Sequence, residues 1–332
     1  MNTPFRIAIV GAGFSGLSAA KELVSLGYEV EVFDKSRGPG GRACTRRREP
    51  GGFDHGAPYF EISSPGFIQV ARQWYQQGFI AQWTGSFGVS RGGGIQPEQG
   101  VVNRWVGYPK MSALGRHLAS GLNVRLQTRI ERITGAAGQW TLVDETGAEY
   151  GEFDWVVFSC PGPQATKMIP DGCPLSDSTE HMEYAMCWVT MLEFAKPLSM
   201  KWNAIRFIRG ALGSAFRENS KPGRDAKERW VVHADSHWSK LNEDRSEHWV
   251  SAALSESFAS LTGASAAFVA SHRWLYAQSA QRGIRSAMTD SQWQLTVCGD
   301  GLSGPGLDAA WSSGVTAAQD IHLSQRTKAS HH

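Results

Sequence analysis

No apolar run in this chain approaches the ~18–20 residues that a membrane span requires. No charged-then-apolar segment of signal-peptide type precedes the first strand-like stretch. The expectation is a soluble, cytoplasmic protein with no membrane partner. Charge of one sign is equally scarce, because 33 Lys and Arg face 31 Asp and Glu and leave a formal net charge of +2. No broad field therefore draws the chain toward nucleic acid. The one dense basic run is Arg46-Arg47-Arg48, which reads most simply as a solvated loop, with a phosphate contact as its other use. Cysteine is sparse too. Cys44, Cys160, Cys173, Cys187 and Cys298 lie too far apart for a C-x-x-C pair or a zinc set, so reduced thiols and no metal are expected. Internal repeats and low-complexity tracts are lacking, and 326–332 reads as a frayed polar tail.

What the chain does have is length and apolar content. Its 332 residues, 41% of them hydrophobic, can bury the cores of two domains. The stretch 6–42, "RIAIVGAGFSGLSAAKELVSLGYEVEVFDKSRGPGGR", is the most informative. "RIAIV" is a short apolar run of the kind buried on both faces of a parallel sheet. Leu17, Ala20, Leu23 and Val24 follow at helical spacing, and "YEVEVF" reads as a second strand. Between strand and helix stand Gly11, Gly13 and Gly16, with Phe14 and Ser15 in the turn. The first glycine permits the turn, the second lets backbone approach a pyrophosphate, and the third lets helix and strand close together. Free N–H groups at the helix start then face the phosphates. Asp34, 23 positions after Gly11, can accept hydrogen bonds from an adenosine ribose, and its charge disfavours a 2′-phosphate there. Lys35 follows it directly. These features together predict nucleotide binding on an α/β, Rossmann-like domain.

The alternation of strand and helix lapses over 61–105, where aromatics and Gly dominate and "RGGGIQPEQG" reads as a flexible connector. A helix is expected over 108–120. Strands are expected in "LNVRLQTRIERITG", "QWTLVDE" and "FDWVVFSCPGP". Residues 166–290 are again irregular, with strand-like "YAMCWVTMLEF" and "ERWVVHADSHW" and a helical "WVSAALSESFASLTG". A strand, a Gly-rich turn and a helix close the chain. The nucleotide-binding domain is therefore expected in three pieces, 1–60, 106–165 and 291–325. A discontinuous α+β substrate domain is expected over 61–105 and 166–290.

Two further motifs bear on which dinucleotide is held. In "DKSRGPGGR", Gly40 and Gly41 allow a tight turn that can aim Arg42 back at a pyrophosphate as a charge-assisted donor. "CGDGLSGPGLDAAWSSG" places Asp300 and Gly301 at a strand end, with Gly306 and Leu307 opening a helix. The triple "GAGFSG", "GPGGR" and "CGDG" resembles the flavoprotein oxidases of the amine oxidase and protoporphyrinogen oxidase group. This resemblance implies a two-domain flavoprotein fold like that of p-hydroxybenzoate hydroxylase and non-covalently held FAD. It also implies that Asp300 binds hydroxyls of the cofactor and that the helix starting near Leu307 points its positive end at the flavin. A closer resemblance is carried by "GPGGRACTRRREPGGFDHGAPYF" (38–60), "FRENSKPGR" (216–224), "WVVHADSHWSK" (230–240) and "HRWLYAQ" (272–278). In this order they are similar to the renalases, in particular their bacterial branch.

That resemblance implies an oxidase that converts the 2- and 6-dihydro isomers of NAD(P) to NAD(P)+, with O2 accepting the electrons as hydrogen peroxide. It implies a monomer or weak dimer. Loss of hydride from a dihydropyridine needs no base, because the ring nitrogen lone pair drives it as aromaticity returns. No catalytic side chain is then required, only a flat stack with the donor carbon about 3–3.5 Å from the acceptor. The resemblance assigns Tyr59, Asn219, His233 and Trp274 to positioning the nicotinamide. Each has a plainer use: Trp274 is one of 13 tryptophans and could be core, and His233 follows "WVV" as a core histidine would. Tyr59 could close a sheet, and Asn219 lies in a polar turn. His237 and Trp238 are neighbouring competitors. An amine or porphyrinogen oxidase and a non-catalytic flavin module are the competing functions.

Overall fold

The structure is a computed structural model that describes residues 4–92, 94–100, 102–280 and 285–329. The first strand, Arg6–Val10, lies at the centre of a six-stranded sheet. Glu29–Phe33 and then Asn123–Arg125 pair in parallel on one side, and Trp155–Phe158 and Leu295–Cys298 on the other. Ala287–Asp290 closes that side as an antiparallel edge, although 166–290 reads from sequence as belonging to the other domain. Both faces of the central strand are covered, with Ile7 and Ile9 in one core and Ala8 and Val10 in another. That explains why "RIAIV" does not alternate with polar residues.

Helix Phe14–Ser25 follows the first strand directly, as the spacing predicts, and packs against the final helix, Leu307–Ala329. The close approach depends on Gly314, where a Cβ would lie 2.1 Å from the Ser15 carbonyl oxygen. The final helix continues through Ala329, so 326–329 are helical where the sequence reads as frayed; 330–332 lie outside the described residues.

The second large sheet has seven strands in the order Phe268–Ser279, Tyr184–Glu193, Arg229–Ala234, Leu212–Arg217, Ala204–Phe207, Phe87–Ser90 and Ile95–Pro97. Most of it comes from 166–290, which reads as irregular from sequence because its strands are joined by long polar turns. One face carries Trp188, Leu192, Trp230 and Val232 and is covered by helix Glu247–Thr262. The opposite face carries Val189, Met191 and Val231 with Phe53 and Trp274, and there it meets the loops of the first domain. The "DSHW" end of one expected strand is instead a helix, Ser236–Leu241, because Asp235 caps it by accepting from the Trp238 N–H at 3.0 Å.

The sequence also hides a helix, Pro65–Gln76, inside the aromatic stretch 61–105. Ser64 caps it, and Phe67, Ala71 and Trp74 form its buried stripe. These side chains sit in the core shared with the first sheet. Its start is tied to the final helix, since Asp308 accepts hydrogen bonds from the backbone N–H groups of Ser63 and Ser64 at 2.8 Å. No helix among the described residues is long and apolar enough to cross a membrane.

Candidate functional site

The three glycines divide the work as their spacing predicts. Gly11 has φ +115°, and a Cβ there would lie 2.8 Å from the Ser159 carbonyl oxygen. At Gly16 a Cβ would lie 2.0 Å from the Gly11 carbonyl oxygen, so only glycine lets helix and strand close. Gly13 is different: a Cβ there would meet nothing within 4 Å, and the helix it opens has no side-chain cap and no acid in its first turn. A helix N-terminus left bare beside open space suits a phosphate. Ser15 adds a buried hydroxyl whose nearest polar partner among the described residues is the weakly bonding Cys298 thiol. Phe14 instead turns into the core, edge-on to Trp74 with ring centroids 5.9 Å apart, and offers the site only its backbone.

Around this turn, Asp34 accepts from the Ala12 and Ser36 N–H groups, both at 2.7 Å. It braces the loop, and each carboxylate oxygen keeps a lone pair for a ribose hydroxyl. Lys35 donates to Gln164 at 3.2 Å, and its amine is shifted down, first by burial and then by Arg129. The second glycine loop locks onto the first. Gly40 donates to the Ala12 carbonyl at 2.8 Å, and Gly41, at φ +56°, would carry a Cβ 3.2 Å from Gly13 Cα.

Arg42, expected from its glycine turn to face a pyrophosphate, and Asp300, given cofactor hydroxyls by the resemblance, are paired with each other at 2.5 Å. Arg42 also donates to the carbonyls of Tyr276 and Ala277, at 3.3 and 2.9 Å, and so ties the cradle to the long edge strand Phe268–Ser279. Gly301 is required by Tyr184, whose hydroxyl would lie 2.2 Å from a Cβ there. Gly299, Gly304 and Gly306 all have positive φ and open space where a Cβ would be. Leu307 begins the final helix and is buried. Asp308 stands in that helix's first turn, so its carboxylate offsets part of the positive end expected to face the ligand.

Trp274 and His233 lie on the cradle-side face of the second sheet in two ring groups, Trp274 with His55 and His272 and, separately, His233 with Phe216 and Tyr59. Val189 pairs across its strand with both His233 and His272, and Cys187 pairs with Trp274, which places these residues on one face. The Trp274 indole N–H donates to the His55 carbonyl at 2.9 Å. His55 and His272 lie against the indole at centroid distances of 5.4 and 4.6 Å. Phe216 bridges to His233 at 5.3 Å and to Tyr59 at 6.0 Å. Asn219 begins the buried polar flank, donating to Glu228 at 3.3 Å. Among the described residues, Asn219 Oδ1 and His233 Nε2 here have no hydrogen-bond partner and are shielded from water. Buried acceptors and donors are rarely left so, which singles these two out for mutation.

The imidazoles here are uncharged. Burial, then His272 and Arg46, lowers His55 to about 4. Burial, then Lys221 and His55, lowers His233 to about 3. Cys44, with Sγ 3.7 Å from His55 Nδ1, is raised to about 12, chiefly by burial. The pair is therefore neutral, and the thiol is not a nucleophile.

Sequence reasoning did not single out His55 or His272, although strand alternation places His272 on the face of Trp274. It also missed a fully buried ionic cluster. Lys221 lies 2.5 Å from Glu218 and 3.4 Å from Asp54, and Arg224 closes on Asp54 as well. Burial, the largest influence on Asp54, would raise it, but Lys221 and Arg224 with Thr45 hold it down at about 2. The sequence gives no sign of the Asp54 contacts because Glu218, Lys221 and Arg224 lie more than 160 positions from it.

Residues 9–76 match the model of the NAD(P)-binding Rossmann-like domain. A zeta-carotene-forming phytoene desaturase of Myxococcus xanthus is 52% identical over 46 residues, 14% of this chain and 9% of that protein. An L-amino acid oxidase of Bothrops pictus is 48% identical over 52 residues, 16% of this chain and 10% of that protein. The match thus spans only about a tenth of the length of these curated relatives. The fold likeness runs much further. A putative protoporphyrinogen oxidase from Exiguobacterium sp. 255-15 superposes with a TM-score of 0.78 at 13% identity, covering 97% of this chain and all of that one. Cyclohexylamine oxidase from Brevibacterium oxydans IH-35A gives 0.76 at 12% identity, over 98% of this chain and all of that one. The chain therefore has the mixed α/β, two-domain fold of these proteins, built on a Rossmann-like dinucleotide-binding domain.

Proposed function

We propose that this protein is an FAD-dependent oxidase that converts misreduced 2- or 6-dihydro isomers of NAD(P) to NAD(P)+. The cofactor reading draws on the cradle. The open space at Gly13, the bare helix start and the Asp34 carboxylate fit the diphosphate and ribose of a dinucleotide. The second glycine loop and the Arg42–Asp300 pair, supported by fold relatives that include amine-oxidising enzymes, extend that fit to FAD held without a covalent bond. When bound there, FAD supplies the hydride acceptor, with O2 taking the electrons onward.

The observation that carries the substrate reading is the uncharged ring group of Trp274, His55 and His272 on the cradle side of the second sheet, with His233 on the same face. Trp274 offers a flat surface on which a pyridine ring can stack, worth about 1 kcal/mol beyond the area it buries. Asn219 Oδ1 can accept from a carboxamide NH2, and His233 Nε2 can serve the carboxamide from its second position. His233, uncharged throughout the working range, neither adds nor removes a proton, which suits a donor ring that loses hydride without a base.

The test is anaerobic mixing of the purified yellow protein with 2- or 6-dihydro-NAD. Bleaching of the flavin absorbance within seconds is expected. No bleaching by either isomer, with bleaching by a primary amine, would move the assignment to amine oxidation.

A further inference from the structure

Gly162 and Gly301 lie in the turns beyond the carboxyl ends of Trp155–Phe158 and Leu295–Cys298, which stand side by side next to the central strand of the first sheet. Ligands of open α/β sheets rest on this edge. Tyr184, the first residue of strand Tyr184–Glu193 in the second sheet, reaches both turns. Its hydroxyl accepts from the Gly162 N–H at 3.2 Å. The same oxygen faces Gly301 so closely that a Cβ there would lie 2.2 Å from it. It also approaches Met182 Sδ at 3.9 Å, a weak acceptor. Edge-on to the phenol, with centroids 5.4 Å apart, stands Tyr276 of the neighbouring strand Phe268–Ser279.

Two grips therefore cross from the second sheet to the cradle. Arg42 takes the carbonyls of Tyr276 and Ala277 while it pairs with Asp300. Tyr184 takes the Gly162 N–H and backs Gly301, the residue after Asp300. The Asp300 turn is thus held twice, by a guanidinium on its carboxylate and by a phenol against the backbone that follows. Tyr276 lies on the same strand face as Trp274, two residues earlier, so the strand that bears the stacking indole belongs to the same clasp. Burial is the chief cause of the upward shift of the Tyr184 phenol, which keeps it a neutral hydroxyl.

We propose that Tyr184 is a positioning residue for the cofactor: it holds the Gly162 and Asp300–Gly301 turns together on the edge where FAD rests, so that the second domain, and not the Rossmann-like domain alone, sets how firmly FAD is kept. This rests on the reading of the cradle as an FAD site and is independent of the substrate.

The test follows FAD release from the diluted holoenzyme by the recovery of flavin fluorescence, with thermal melts of the holo and apo proteins alongside. Tyr184→Phe keeps the ring and removes the hydroxyl. It should speed release roughly three- to tenfold, as loss of one buried hydrogen bond does. It should also shrink the rise in Tm that FAD produces. Melts lowered equally with and without FAD, at an unchanged release rate, would show a purely structural hydroxyl and overturn the proposal. Gly301→Ala gives the second arm. In the wild type its methyl meets the phenol oxygen, and FAD should leave faster. With Tyr184→Phe in place, the ring carbon that bore the hydroxyl is 3.1 Å from that methyl, so the double variant should release FAD more slowly than the two single effects combined predict. Additive effects would show that the phenol does not set the Gly301 turn and would overturn the proposal as well. A wild type that takes up no FAD would instead remove the cofactor reading, and the role of Tyr184 would fall with it.

Discussion

At Trp274 the indole N–H and the ring face have separable tasks. The N–H is held by the His55 carbonyl, and the face lies in the cluster with His272. Trp274→Phe keeps the face and loses one hydrogen bond, so it should cost about 1 kcal/mol of stability and retain FAD. Trp274→Ala removes the stacking surface and should slow flavin reduction roughly tenfold, again with FAD retained. Asp300→Ala, which frees Arg42 from its pair, should instead release FAD during gel filtration, read as loss of yellow colour. His55 gives a pH signature. Its folded value of about 4 lies below the ordinary 6.5, so between those values the unfolded chain binds a proton that the native chain refuses. Stability therefore rises with pH through that window and levels off above it, by an amount on the order of 3 kcal/mol. Melts followed by circular dichroism should show Tm climbing from pH 4.5 to 6.5, with a shallower climb in His55→Gln. Equal slopes in the two proteins would show that His55 is not held neutral.

Among the elements, the crossing of the first helix, Phe14–Ser25, with the last, Leu307–Ala329, bears most directly on the site. Ser15 at the cradle and Gly314 on the last helix meet so closely that a Cβ would overlap the Ser15 carbonyl oxygen. Gly314→Ala should force the helices apart, costing about 1–3 kcal/mol and weakening FAD binding, although residue 314 touches no ligand. A thermal melt with a parallel FAD titration checks both effects. The same two helices were largely legible in the sequence, since a tight strand-turn-helix is specified by glycines within a few positions of each other. Pro65–Gln76 was not legible. Its stripe of Phe67, Ala71 and Trp74 is embedded in a run where aromatics also serve neighbouring strands, and the period is blurred.

Across the whole molecule, the join between the two sheets is ionic as well as apolar. Asp54 from the glycine-loop side and Lys221, Glu218 and Arg224 from the second sheet are buried together. Lys221→Met would leave Glu218 without its ammonium and Asp54 with Arg224 alone, and should cost roughly 3–5 kcal/mol. Lys221→Met with Glu218→Gln should recover part of that loss, because one uncompensated charge is removed as well. A double-mutant cycle read by urea denaturation measures the coupling. Full additivity would show that the buried partners act independently.

The sequence alone determined the nucleotide cradle, because turn, helix start and acid are encoded by residues within about thirty positions and by the backbone freedom of glycine. It also placed His233 in a strand. Only the tertiary structure decided which face that strand presents, that Arg42 meets Asp300, and that Asp54 finds Lys221 from 167 positions away. The physical reason is that a side chain's charge state and partner depend on what burial brings against it, and here the two walls of the site come from opposite ends of the chain.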